Sequence, residues 1–266
     1  MINFKNNNFK NRLKTMIGVD LRRMFTSPLF YIMIGVSLVI PILILVMTTM
    51  LNGTVSVDPQ TGKETVMEGF KNVWQIIGSI SGDGGAMSMD LTSMCNINMM
   101  FFLIAAFVCV FVSDDFRSGY AKNLFTVRAR KDDYIVSKTI VCFIAGAAMI
   151  ITFFIGAMLG GAFAGLPFTL ENVTVTNIIM SVLSKIFLVM IFVSIYVLAS
   201  VIGKQRLWLS LIASFGAGML FFTMIPIISP LNAGIINVIL CLAGGIIFSI
   251  GIGIGSYFIL KKTNII

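Results

Sequence analysis

The sequence predicts an all-α membrane protein: six transmembrane helices, an amphipathic interfacial helix ahead of them, and cytoplasmic N- and C-termini. Three observations predict it. Among 266 residues the apolar set AVILMFWYC makes up 58% and charged residues only 11%, against about 25% charged in a soluble domain. Mean hydropathy is +0.99. The apolar residues gather in six runs close to the roughly 20 residues that a helix needs to cross a bilayer core. Such a chain cannot cover a water-facing surface, which excludes a soluble globular protein. It also has too much to bury for disorder.

The first element precedes the spans. Phe9, Leu13, Met16, Ile17, Leu21, Met24 and Phe25 recur at steps of three or four, a helical stripe. Lys10, Arg12, Lys14, Arg22 and Arg23 fill much of the other faces. This pattern suits a helix lying in the membrane interface. A calmodulin-type target helix would look similar, but the continuation into a span favours the interface. Residues 1–28 are therefore read as a cytoplasmic N-terminus carrying the interfacial helix, and 29–266 as one six-helix transmembrane domain.

The spans are expected at 29–51, 94–112, 139–166, 178–202, 207–228 and 235–260. The first is too long for a signal-peptide core, and no small-residue cleavage pattern follows it. Ser27-Pro28 suits an N-cap followed by proline at the first helical position. The second is the weakest, because Asn96 and Asn98 interrupt it. Sixteen of the nineteen Lys and Arg residues fall before span one, between spans two and three, between spans four and five, or in the tail. Only Lys63, Lys71 and Lys185 lie elsewhere. The positive-inside rule places both termini in the cytoplasm. The net charge of +8 is thereby a topology signal beside anionic lipid and requires no nucleic acid partner.

The outer loop, 52–93, holds five of the eleven acids. Phe70, Val73, Trp74, Ile77 and Ile80 again recur at helical spacing, which predicts a short interfacial helix anchored by Trp74. Gly82-Asp83-Gly84-Gly85 reads as a flexible turn rather than a phosphate loop, since no GK[ST] follows. The pairs Gly156/Gly160, Gly161/Gly165 and Gly251/Gly255 let helices approach closely. Packing within the chain and a dimer seam are both open to them, with the former favoured.

The absences narrow the chemistry. Histidine is missing, so His-based triads, HExxH zinc sites and imidazole proton shuttles are excluded. Cys95, Cys109, Cys142 and Cys241 form no CxxC pair and read as small buried hydrophobes. No GxxxxGK[ST] or GxSxG motif occurs. No carboxylate lies in the middle of a span, where proton- or sodium-coupled carriers keep ionisable groups. Lys185 alone intrudes, about 10 Å of helix rise from the start of span four. It shares a face with Ser181 and Ser184. Either it snorkels to the outer interface, or it is a cavity charge for an anionic substrate or headgroup.

The most informative stretch is 113–138, SDDFRSGYAKNLFTVRARKDDYIVSK. Phe116, Tyr120 and Leu124 lie four apart, with Arg117, Lys122 and Asn123 on polar faces. They predict one short amphipathic helix. It serves either as a charged connector or as a piece that docks into a protein groove.

On this layout the chain resembles the integral membrane subunit of ABC-2 type transporters, bacterial exporters of the G-like (type V) architecture. The features are an interfacial helix before span one, six spans with both ends inside, a structured loop between spans two and three, and a broken hydrophobic hairpin before span six. The loop reads Asp114-Asp115-Phe116-Arg117-Ser118-Gly119-Tyr120-Ala121-Lys122-Asn123-Leu124, then Arg128-Ala129-Arg130, then Ser137-Lys138. Gly119-Tyr120 departs from the family's Gly-Thr. The likeness covers nearly the whole chain by layout but only about 25 residues by motif.

The resemblance implies a permease subunit that performs no hydrolysis itself. ATP and magnesium would bind separate P-loop ATPase subunits, and a second permease, the same chain or a sibling, would complete the path in the bacterial plasma membrane. Residues 117–127 would be the coupling helix. Phe116, Tyr120 and Leu124 would anchor it, Arg117 and Lys122 would form the rim, and Gly119 and Asn123 lie between them. Asn96, Asn98, Lys185, Ser210, Ser214 and Thr223 are the expected path residues. Residues 226–237, with Pro226 and Pro230, would form an extracellular re-entrant hairpin. Soft walls rich in Met and Phe suit amphipathic or hydrophobic cargo: an antimicrobial peptide, with resistance to it as the biological role, a drug, or a lipid-like molecule. The rival readings are a secondary carrier without an ATPase, a membrane-embedded enzyme, and a non-transporting membrane partner of an ATPase or sensor.

Overall fold

The computed structural model describes residues 9–57, 64–66, 69–79, 95–127, 130–169, 173–222 and 224–262. Helix α1 (Phe9–Thr26) leads into α2 (Pro28–Met50). Ser27 breaks the two apart in an extended conformation, as a residue ahead of proline prefers. It occupies the N-cap position, but its side chain makes no capping hydrogen bond. A small antiparallel ribbon, β1 (Val55–Val57) with β2 (Glu64–Val66), pairs Val55 with Val66. The sequence reading did not anticipate it.

The 3₁₀ turn Ile97–Met99 runs into α3 (Met100–Arg117), followed by α4 (Tyr120–Val127), α5 (Lys131–Ala164) and α6 (Val175–Gly203). Then come α7 (Leu207–Phe222), the four-residue α8 (Ile225–Ile228) and α9 (Ile235–Lys262). Among the described residues, five helices are long and apolar enough to cross a membrane: α2, α3 with its 3₁₀ lead-in, α5, α6 and α9. Helix α7 has 16 residues, about 24 Å of rise, and is shorter than the expected 207–228 run. Helix α7 ends at Phe222, and α8, with Pro226 in its first turn, is a separate helix. Helix α5 has 34 residues, about 51 Å. It starts well before the expected 139, so its first turns extend past a bilayer core of about 30 Å.

Helices α3 and α6 form the middle of the bundle. Helix α6 packs on α9, α7, α3 and α5, while α2 and α1 lie along α5. The outer faces of α2, α7 and α9 carry exposed apolar side chains, among them Leu43, Ile212, Leu220 and Ile247. This is the reverse of a soluble surface and the expected face toward lipid.

The α2–α5 contact explains one glycine pair. A Cβ on Gly156 would strike the Leu38 carbonyl and lie 2.7 Å from Pro41 Cγ, and one on Gly160 would lie 2.8 Å from Ile42 Cα. Pro41, buried inside α2, faces this seam. The Gly156/Gly160 pair therefore packs within the chain, whereas nothing lies within 4 Å of a Cβ on Gly251 or Gly255. Gly160→Val is expected to destabilise the fold by about 1–3 kcal/mol through overpacking. Its midpoint of thermal unfolding in detergent should fall. An unchanged midpoint would show that α2 and α5 are not in this contact.

The expected Trp74 interfacial helix is instead a single 3₁₀ turn, Val73–Ile76, whose apolar residues are turned inward. Asn72 caps it by accepting from the Trp74 backbone N–H at 2.9 Å. Trp74 Nε1 donates to the Phe168 carbonyl at 2.6 Å, and its ring stacks on Phe154. Enough apolar surface exists at the end of α5 to bury this turn, so it is not left lying on the bilayer. The stretch 82–85 lies outside the described residues.

Candidate functional site

The termini of α3, α5 and α9 at Arg117, Lys131 and Lys262 share one end of the bundle with α1 and α4, here called the near end. A buried ionic cluster occupies it. Lys138, with no exposure, donates to Asp20 at 2.8 Å and lies 2.7 Å from Asp115. Ser137 Oγ donates to the second Asp20 oxygen at 2.6 Å, and Tyr134 OH donates to Asp115 at 2.9 Å. Arg23 closes the cluster at 2.7 Å from Asp115 and 3.8 Å from Asp20. The Arg23–Asp115 contact is an ion pair whose N–H is not aligned for a hydrogen bond. Beside it, Arg12 Nε donates to Asp133 at 3.0 Å.

Three helices build this cluster. Asp20 and Arg23 come from α1, Asp115 from the last turn of α3, and Tyr134, Ser137 and Lys138 from the first turns of α5. Two carboxylates face two cations, so the buried charge is balanced, the condition under which desolvated ions are tolerated. The Lys138 ammonium also lies 4.3 Å from the centre of the Phe111 ring. Burial alone would push the Arg23 guanidinium down. Asp115 first, then Tyr120 and Asp20, more than offset this, and the net shift is up. The cation is therefore held charged.

Arg23 links the cluster to α4. Its guanidinium stacks on the Tyr120 ring at 4.0 Å. Gly119 makes this possible. With φ at +76° it turns the chain sharply after α3, a conformation that costs glycine little, so α4 folds back across the near end. Phe125 then packs edge-on against Tyr134 at 5.3 Å.

The seven residues expected to couple to an ATPase fall into two sets. Phe116 and Arg117 belong to α3, which runs through to Arg117, and the short helix begins only at Tyr120. Phe116 is buried against Tyr134 and turned away from any docking surface. Tyr120 and Leu124 are half-buried against the bundle, while Arg117, Lys122 and Asn123 are exposed. The single amphipathic helix from Phe116 to Leu124 is thus two helices with Gly119 at the corner. The face turned outward is polar.

Among the described residues, the expected path residues are not brought together. Asn96 accepts from the Asn98 backbone N–H at 2.9 Å, capping the turn before α3, and both are buried at the far end. Ser210 and Ser214 pack α7 onto α3: Ser113 Oγ donates to Ser210 Oγ at 3.4 Å, and Cys109 Sγ lies 3.1 Å from Ser214 Oγ. Thr223 lies outside the described residues.

Lys185 neither snorkels nor faces open space. It is fully buried ten residues into α6, about 15 Å of rise from the helix start. Its Nζ donates to the Ser229 carbonyl at 2.6 Å, to Ser229 Oγ at 3.1 Å and to Ser181 Oγ at 3.2 Å. Ser229 and the buried Pro230 follow α8, and Leu231 N donates to the Ser79 carbonyl at 2.9 Å. The helical break expected from Pro226 and Pro230 is present, and Lys185 fastens it to α6. In Lys185→Met, a cysteine at Ala233, buried at the far end, should react with an impermeant maleimide about tenfold faster or more, as charged hydrogen bonds of about 1.5–3 kcal/mol are lost. Cys95→Ser removes the background thiol. An unchanged rate would show that Lys185 does not hold this segment.

The chain matches no protein-family model, and comparison with curated proteins and with solved structures gives no significant match. The sequence reading missed the ionic cluster, although one signal was there. Met16, Asp20 and Met24 are spaced by four, which puts the one acid of α1 on its buried stripe.

Proposed function

We propose that the chain is the permease subunit of an ATP-driven ABC exporter of ABC-2 type. The observation that carries the proposal is α4, a short helix folded across the near end, with a polar outward face and an inward face tied to a buried ionic cluster. Lys122 and Asn123 are presented outward while Tyr120 is stacked on Arg23. A helix that served only as a connector would not require a cluster of desolvated charges behind it.

In this reading α1 lies at the cytoplasmic interface, six segments cross the bacterial plasma membrane, and α7 with α8 supplies the fifth crossing. Both termini are cytoplasmic. A separate P-loop ATPase receives α4. Nucleotide binding moves α4, and α1, α3 and α5 follow because the Asp20–Lys138–Asp115–Arg23 cluster joins them. Such a device works only if the ATPase contacts α4 differently in its two states. A second permease, identical or a sibling, completes the path, and the cargo is amphipathic or hydrophobic.

The test is affinity purification of the full chain from its native membrane in mild detergent, followed by mass spectrometry. A soluble P-loop ATPase in the eluate is the expected result. Its absence, from preparations in which known membrane complexes stay whole, would overturn the proposal.

A further inference from the structure

A cleft of about 390 Å³ opens at the near end between α4, α5 and α9. Its walls are Phe125 from α4, Arg130, Lys131 and Asp132 at the start of α5, and Tyr257 and Lys261 from the last turns of α9. Three cations face one carboxylate. Lys131 Nζ donates to the Leu260 carbonyl at 2.7 Å, which pins the end of α9 against α5. Arg130, Lys131, Asp132 and Lys261 lie outside both α4 and the ionic cluster.

We infer that this cleft binds the phosphate headgroup of an anionic phospholipid. The cleft continues a lipid-facing stripe. Ile250, Ile254 and Phe258 on α9 are all more than half exposed and fall at steps of four. Lys261 follows three residues after Phe258, on the same side of the helix. Acyl chains lying along that stripe bring a headgroup to the cations. Tyr257 and Phe125 line the same cleft, and aromatic side chains of this kind favour the membrane–water boundary. Basic pockets between helices at such a boundary suit anionic headgroups. Asp132 suits a head that also carries hydroxyls, such as phosphatidylglycerol, since a carboxylate accepts from them. A free phosphate offers the same charge but leaves the apolar stripe bare.

The inference requires only a chain embedded in lipid, so it stands or falls apart from the ATPase reading. The experiment is native mass spectrometry of the full chain in detergent, titrated with phosphatidylglycerol or with phosphatidylcholine. Phosphatidylglycerol should be retained preferentially. The Arg130→Gln/Lys261→Gln variant should weaken that retention by about thirtyfold, at about 1 kcal/mol for each base. Lys10→Gln/Lys14→Gln removes two exposed cations of α1 and should leave retention unchanged. Equal retention of the two lipids would overturn the inference, as would equal losses in the two variants. Displacement of the lipid by millimolar inorganic phosphate would overturn the lipid source in favour of a soluble anion.

Discussion

Lys138→Met is expected to cost about 3–5 kcal/mol, because it strands two desolvated carboxylates. Asp20 and Asp115 are both fully buried, and Lys138 lies within 2.8 Å of each. Arg23 remains, but it already reaches Asp115 at 2.7 Å and approaches Asp20 only to 3.8 Å, so it cannot serve both. The midpoint of thermal unfolding should fall by about 10 °C, and α1 should become protease-sensitive before the rest of the chain. The triple variant Asp20→Asn/Asp115→Asn/Lys138→Met should recover much of the loss. It removes the stranded charges together and leaves Arg23, which is partly exposed, able to turn to water. Recovery separates a charge effect from a packing effect. If the single variant unfolds with the wild type, the cluster does not hold α1, α3 and α5 together.

Arg117→Glu/Lys122→Glu is expected to weaken retention of a partner ATPase by about thirtyfold, from about 2 kcal/mol of reversed surface charge. Both side chains are exposed, so stability should stay within about 0.5 kcal/mol of wild type. The effect should shrink as salt is raised, since exposed charges are screened. Tyr120→Ala and Leu124→Ala should behave differently. Both side chains lean on the bundle, and their loss should loosen α4 as well as weaken docking. A partner retained equally by wild type and by the charge-reversed pair would remove the outward face of α4 from the interface.

The long helices were legible because apolar runs of bilayer length have few alternatives. The start of α2 was legible for a local reason: proline fixes the first turn and pushes Ser27 out of the helix. Other features depend on what lies opposite in space. Phe116 keeps its four-residue spacing to Tyr120, yet the backbone turns at Gly119 between them, and periodicity alone does not register a turn of that kind. Asp115 and Lys138 were visible as charges near span ends, but their pairing through Asp20 requires α1 to lie on α5. Helix α1 read as a surface helix because five cations dominate it. Asp20, aligned with Met16 and Met24, marks the face that is buried instead. Lys185 was legible as unusual; its partner, the Ser229 carbonyl, could not be read from any side-chain pattern.

What touches the outward face of α4 is measured most directly by a photo-crosslink from it. A photoreactive residue at Asn123, exposed on α4, would be activated in native membranes, with one at the lipid-facing Ile247 as control. Asn123 is expected to capture a P-loop ATPase, with a yield that changes when nucleotide is added, and Ile247 to capture none. Capture of lipid alone from both positions would contradict this expectation.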